Sequence, residues 1–216
     1  MVFCGMHFTN ILIHIIAGSM ALLAGTLALF AYKGGKIHMR FGRFFLGCLA
    51  IVILTGLLGV FVFHRNTFLL VITVLSGYLG FSGYRALRLR SARPGWVDNL
   101  VSLVALGVAA YFLWYFRTIG MIWSPVIIYS TVGYLLLMIV YDLSRNGIHG
   151  NWWRYEHILK MVGAWSGLLS AFCGTVFPQY QPFSQFLPSL FGTLIAIGLI
   201  VRVARQQRRL IKGTDK

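Results

Sequence analysis

"LFAYKGGKIHMRFGRFF", residues 29–45, decides how the chain is read. Four cations, Lys33, Lys36, Arg40 and Arg43, and one histidine, His38, sit between two apolar runs at about 10–32 and 44–63. Each run has the roughly 17–25 residues that a bilayer-spanning helix needs. A short basic connection between two such runs is the mark of a cytoplasmic loop in a polytopic membrane protein.

Working outward, five more apolar runs follow, at about 67–87, 99–116, 119–141, 157–177 and 187–204. The pattern predicts an all-α integral membrane protein with seven transmembrane helices in one domain, 1–204, and a basic cytoplasmic tail, 205–216. Run four is short, and only Arg117 and Thr118 separate it from run five, so a single bent hairpin with six spans is the alternative. No Lys or Arg precedes the first run, which is longer than the roughly 7–15 residues of a signal-peptide core and is therefore expected to stay as helix 1.

Composition agrees. Of the 216 residues, 58% are hydrophobic and only 11% charged, against about 25% in soluble domains, and the mean hydropathy is +0.79. A formal net charge of +15 would suggest nucleic acid in a soluble protein, but the cations are scattered between apolar runs, which excludes a nucleic-acid face. They report topology instead: seventeen of the nineteen fall in loops 1–2, 3–4, 5–6 and the C-terminus, and only Arg65 and Arg117 on the alternate side. Cytoplasmic loops retain Lys and Arg, so the N-terminus is expected outside and the C-terminus inside. Trp114, Tyr115 and Trp123 would flank the outer ends, and Trp96, Trp152, Trp153 and Tyr155 the inner ones. Cys4, Cys48 and Cys173, odd in number and dissimilar in setting, give no disulfide framework and read as packing residues.

Polar residues inside a span are costly and normally face the bundle, which makes them candidates for function. His14 lies about four residues into the first run, roughly 6 Å below the outer interface at 1.5 Å per residue. Gly18, Ala21 and Gly25 follow on its face, a stripe that lets a backbone or a flat ligand approach. His64 ends the second run, and His7 precedes the first. On the inner side lie His38, His149 and His157 with Asp142 and Glu156, and Glu156 can pair with Lys160 one turn on. Gly163, Gly167, Ser170 and Gly174 mark helix 6 as a second close-packing helix. The four carboxylates, Asp98, Asp142, Glu156 and Asp215, all fall on the inner side, which disfavours a carboxylate relay through the bilayer. No His-Glu-x-x-His, P-loop, Gly-x-Ser-x-Gly or Cys-x-x-Cys occurs. Gly77, Gly80 and Gly83 have a nucleotide-loop rhythm but no preceding strand, and read as packing glycines.

The segment "HIIAGSMALLAGTLALFAYKGGKIHMRFGRFF" resembles the signature of an uncharacterised family of bacterial multi-helix inner-membrane proteins. In that signature a helix-1 His precedes an Ala-Gly-rich helix, a basic loop, and His, Gly and Arg opening helix 2. The matching positions are His14, Gly18, Gly25, His38, Gly42 and Arg43; Met39 stands where the pattern usually has Arg, with Arg40 one later. "EHILKMVGAWSGLLSAF", with His157, Met161, Ala171 and Phe172, is similar to the family's later His-plus-Met motif. The resemblance covers about half of the chain and implies a multi-pass protein of the bacterial inner membrane. It carries no activity with it.

Three functions compete. Histidines near both surfaces could ligate b-type haem for transmembrane electron transfer, His14 with His64 outside and His38 with His157 inside. This follows the logic of ferric-reductase-like membrane cytochromes, which usually carry two histidines per helix, unlike this chain. Alternatively His38, His149 and His157 could hold zinc, with Asp142 or Glu156 as base, in a membrane hydrolase of the adiponectin-receptor or ceramidase kind, whose motif spacing is absent. The third is a non-enzymatic accessory or assembly subunit, or a small-solute carrier, with structural or pH-responsive histidines. The uncharged loop "PQYQPFSQFLP" would suit a membrane protein partner or a rigid turn, and the basic tail could hold anionic lipid headgroups.

Overall fold

The computed structural model describes residues 2–63, 68–90, 92–119, 125–144 and 152–214. Among them are seven α-helices, one 3-10 turn and no strand: α1 (Val2–Phe30), α2 (Lys36–Phe61), α3 (Phe68–Leu89), α4 (Trp96–Ile119), α5 (Pro125–Leu143), α6 (Trp152–Val176) and α7 (Phe183–Thr214), with the 3-10 turn at Pro178–Tyr180. Runs four and five correspond to two separate helices, α4 and α5, among the described residues.

Most of the helices outrun the apolar runs, because hydropathy marks what sits in lipid and not where the backbone hydrogen bonds stop. One such difference is at the start of α2. Gly34 takes φ +80, a left-handed conformation that glycine adopts without a Cβ penalty. Gly35 N-caps α2, and its carbonyl accepts from the Met39 amide at 3.0 Å. His38, Arg40 and Arg43 consequently stand on a helix, not in the loop that the hydropathy suggests. Likewise His157 lies in the second turn of α6 instead of opening it, and the basic tail continues α7 as far as Thr214.

Five helices, α1, α2, α4, α6 and α7, are long and apolar enough to cross a membrane. The apolar part of α5, Ile128–Leu143, is shorter. Helix α3 carries Ser76, Ser82 and Arg85 and sits at the centre, against α2, α4, α5 and α6, with both serines buried and Arg85 paired to Asp98. Elsewhere the outside is apolar: Leu23, Leu54, Leu103, Leu137 and Leu194 are each at least 60% exposed. An apolar surface of this extent calls for lipid or protein cover.

Glycines set the helix spacing. A Cβ on Gly80 would come within 2.6 Å of Leu49 Cδ2, and one on Gly77 within 2.9 Å of Ile53 Cδ1, so α2 and α3 meet nearly backbone to side-chain stem. On α6, a Cβ at Gly167 would stand 2.7 Å from Ser76 Oγ and one at Gly174 2.6 Å from Gln185 Cγ. Both glycine sets pack helices closely, as small residues do in bundles.

Candidate functional site

The start of α2 and the start of α6 meet at one end of the bundle, beside the end of α1 and the end of α3. There the His38 and His157 rings lie 6.5 Å apart between centroids, at 84° to one another. The Nδ1 of His38 is 2.9 Å from the Ala28 carbonyl, and that of His157 is 2.9 Å from the Gly83 carbonyl. A carbonyl only accepts, so in each ring Nδ1 carries the proton and donates it. In a neutral imidazole the other nitrogen, Nε2, then keeps its lone pair. Hydrogen bonds from Nδ1 to a backbone carbonyl are the arrangement that orients an imidazole whose Nε2 serves as a ligand.

Both rings line a cavity of about 620 Å³, inside the roughly 300–1,000 Å³ of small-molecule and cofactor sites. Phe45, Leu46, Met161 and Trp165 form its apolar wall, and Arg43 and Arg88 stand at its exposed mouth. Trp165 is fixed by donating from Nε1 to the Leu22 carbonyl at 3.3 Å. Arg88 is held over the Tyr84 ring and donates from Nε to its hydroxyl at 3.0 Å. In the turn before α2, the Lys33 ammonium donates to the Ala28 carbonyl as well, so His38 and Lys33 share one acceptor. Burial, and secondarily the Arg202 guanidinium, holds the Lys33 ammonium below the usual lysine range.

On the other side of α6 lies a buried ionic network. Lys160 is 1% exposed and bound to Asp142 and, at 2.6 Å, to Glu156. The Tyr78 hydroxyl donates to Asp142 Oδ2 at 2.7 Å and lies 3.1 Å from Ser102 Oγ. Alongside, Arg85 grips Asp98 through two nitrogens, at 2.6 and 2.7 Å.

His14 has a different setting. Its Nδ1 is 2.8 Å from Thr55 Oγ1, and Asn10 donates to the Thr55 carbonyl at 3.1 Å, so two side chains of α1 clasp one residue of α2. His7 rests against the Phe63 ring, 4.6 Å between centroids. His64, expected to partner His14, and His149, expected in the zinc set, lie outside the described residues. Among the described residues no three His, Cys, Asp or Glu side chains form a metal-sized group. The carboxylates considered as a base, Asp142 and Glu156, both bind Lys160.

No protein-family model, curated protein or solved structure matches the chain. The site therefore rests on its geometry. Sequence reasoning names both imidazoles but misses the two carbonyls that orient them and the Trp165 wall. It also finds only half of the Lys160 network. Carbonyl acceptors leave no trace in residue identity, whereas Trp165, eight residues and about two turns from His157, does share its helix face.

Proposed function

We propose that this protein is a multi-pass inner-membrane protein that holds one b-type haem between His38 and His157 and uses it to move electrons at the cytoplasmic end of the bundle. The observation that carries the reading is the imidazole pair itself. Imidazoles that share one iron, each bound through Nε2 at about 2 Å, have ring centres roughly 6 Å apart. The separation here is 6.5 Å, with both Nδ1 atoms already occupied.

The rest of the cavity suits the group. Met161, Phe45 and Trp165 would exclude water from the faces of a flat macrocycle, and Arg43 and Arg88 at the mouth match its two carboxylates. Bound there, haem supplies reversible one-electron chemistry, and its potential is set by the axial ligands, their backbone hydrogen bonds and burial. The carbonyls of Ala28 and Gly83 would raise the basicity of both imidazoles.

The same reading takes all seven helices as spans, with the N-terminus outside and the Lys- and Arg-rich end in the cytoplasm, in a bacterial inner membrane whose anionic headgroups meet those cations. The cavity, lined from the two basic helix starts, then lies near the cytoplasmic face.

The test is the visible spectrum of detergent-purified protein, oxidised and then reduced with dithionite, with iron measured on the same sample. A Soret band and a sharp reduced α band are expected, lost in His38→Ala and in His157→Ala and kept in His14→Ala. A colourless, iron-free wild-type protein sinks the proposal.

A further inference from the structure

A second cavity, of about 190 Å³, opens between α5 and α7. Among the described residues its lining holds no Lys, Arg, Asp or Glu and is rich in hydroxyls. Thr131 and Tyr134 project from α5, Ser166 and Ser170 from α6, and Ser189 and Thr193 from α7. Ser189 and Thr193 are exposed, so the mouth faces sideways, toward the same surroundings as the neighbouring apolar Leu190 and Leu194. The floor is glycine: a Cβ on Gly163 would stand 3.4 Å from the Tyr134 hydroxyl, and one on Gly192 2.3 Å from Ser166 Cβ. Gln185, 7% exposed, also lines the cavity, and its Oε1 is buried without a hydrogen-bond partner.

An unpaired buried acceptor costs free energy unless something donates to it. A ligand donor removes that cost. The absence of charge in the lining argues against an anionic headgroup, and the volume admits one substituted ring and not a glycerophosphate. Its polar groups come from two helices, Tyr134 and Thr131 of α5 and Gln185 and Ser189 of α7, the Ser189 hydroxyl standing 2.8 Å from that of Ser170, and this suits a flat body with oxygens on opposite edges. Access from the side asks for a molecule dissolved in the membrane.

We infer that this cleft binds the headgroup of a membrane quinone, with a quinol hydroxyl donating to Gln185 Oε1 and the prenyl tail leaving between α5 and α7. The site goes beyond the haem reading and stands on its own residues. Ser166 is nine residues along α6 from His157, about 14 Å at 1.5 Å per residue, and the two positions line different cavities.

The experiment measures equilibrium binding of reduced decyl-benzoquinone to the detergent-purified full chain, in wild type, Gln185→Leu and Thr193→Phe. Gln185→Leu removes the unpaired acceptor at similar volume, so the empty fold is expected to keep or gain thermal stability. Thr193→Phe blocks the mouth from an exposed position. Saturable binding at one per chain is expected, weakened by about tenfold or more in each variant, the loss of one buried hydrogen bond to a ligand. No binding by wild type, or equal binding by both variants with the fold intact, overturns the inference. The visible spectrum of the same samples reports on His38 and His157 separately, so a colourless protein that still binds the quinol leaves this site standing alone.

Discussion

Lys160 shows how much one residue can hold in a bundle with few charges. Its ammonium is surrounded by Asp142 and Glu156, and Tyr78 donates to the outer oxygen of Asp142, so four side chains from three helices share one site. Removing one partner from a buried ion pair leaves an uncompensated charge and typically costs about 3–5 kcal/mol. Lys160→Met is therefore expected to lower the thermal midpoint sharply in detergent, while the triple change Lys160→Met, Asp142→Asn, Glu156→Gln recovers much of it. A single variant as stable as wild type would show that the network is solvated in the folded protein. At this scale the sequence is half legible. Glu156 and Lys160 are four apart on one helix and announce themselves, but Asp142 comes from α5, and only the packed fold brings it in. The hydroxyls of the quinone cleft are less legible still, because single Ser and Thr residues in apolar helices look like ordinary helix contacts.

At the scale of elements, α6 organises the molecule. One of its faces, with His157, Met161 and Trp165, meets α1 and the end of α3 and lines the cavity shared with α2, and another, with Gly163, Gly167 and Ser170, meets α3 and α7. Gly25 of α1 shows how tight the first contact is: a Cβ there would stand 2.5 Å from Trp165 Cδ1 and 3.2 Å from Phe45 Cδ2. Gly25→Val is expected to destabilise by about 1–3 kcal/mol through overpacking and to lower haem occupancy by pushing Trp165 into the cavity. Gly47→Ala, on the outside of α2 where a Cβ meets nothing within 4 Å, is expected to stabilise by about 0.5–1 kcal/mol. Heat denaturation of the two variants side by side checks both signs. The small-residue stripes are legible in the sequence as close contacts, because only small residues repeat there. Which helix lies opposite is not, since a stripe carries no address. The start of α2 is misread for a related reason: Lys36, Arg40 and Arg43 interrupt the hydropathy while the backbone is already helical.

For the whole molecule, the contacts sort the helix ends. His38 meets His157, Arg85 meets Asp98 and Asp142 meets Lys160 at one end, while His14 and Asn10 meet Thr55 toward the other. The chain thus runs up and down, and among the described cations Lys33, Arg43, Arg85, Arg88 and Lys160 share the end that holds His38 and His157. A fluorescent reporter that folds only in the cytoplasm is expected to light up when fused after Lys216 and to stay dark when fused before Met1. Reversed signals would invert the topology and move the His38–His157 cavity to the opposite face. The helix count is the most legible feature at this scale, because seven apolar runs in the sequence correspond to the seven helices among the described residues.

Trp165 and Ser166 are consecutive residues of α6, and they line different cavities. The wall between the two chambers is one helix thick, so a turn of α6 about its axis that tightens one chamber must loosen the other. Were both chambers filled, torsion of this shared partition would be the route between their occupants. Thermodynamic reciprocity then requires that any factor by which a ligand in the cleft alters affinity at the imidazole pair be returned unchanged in the reverse direction.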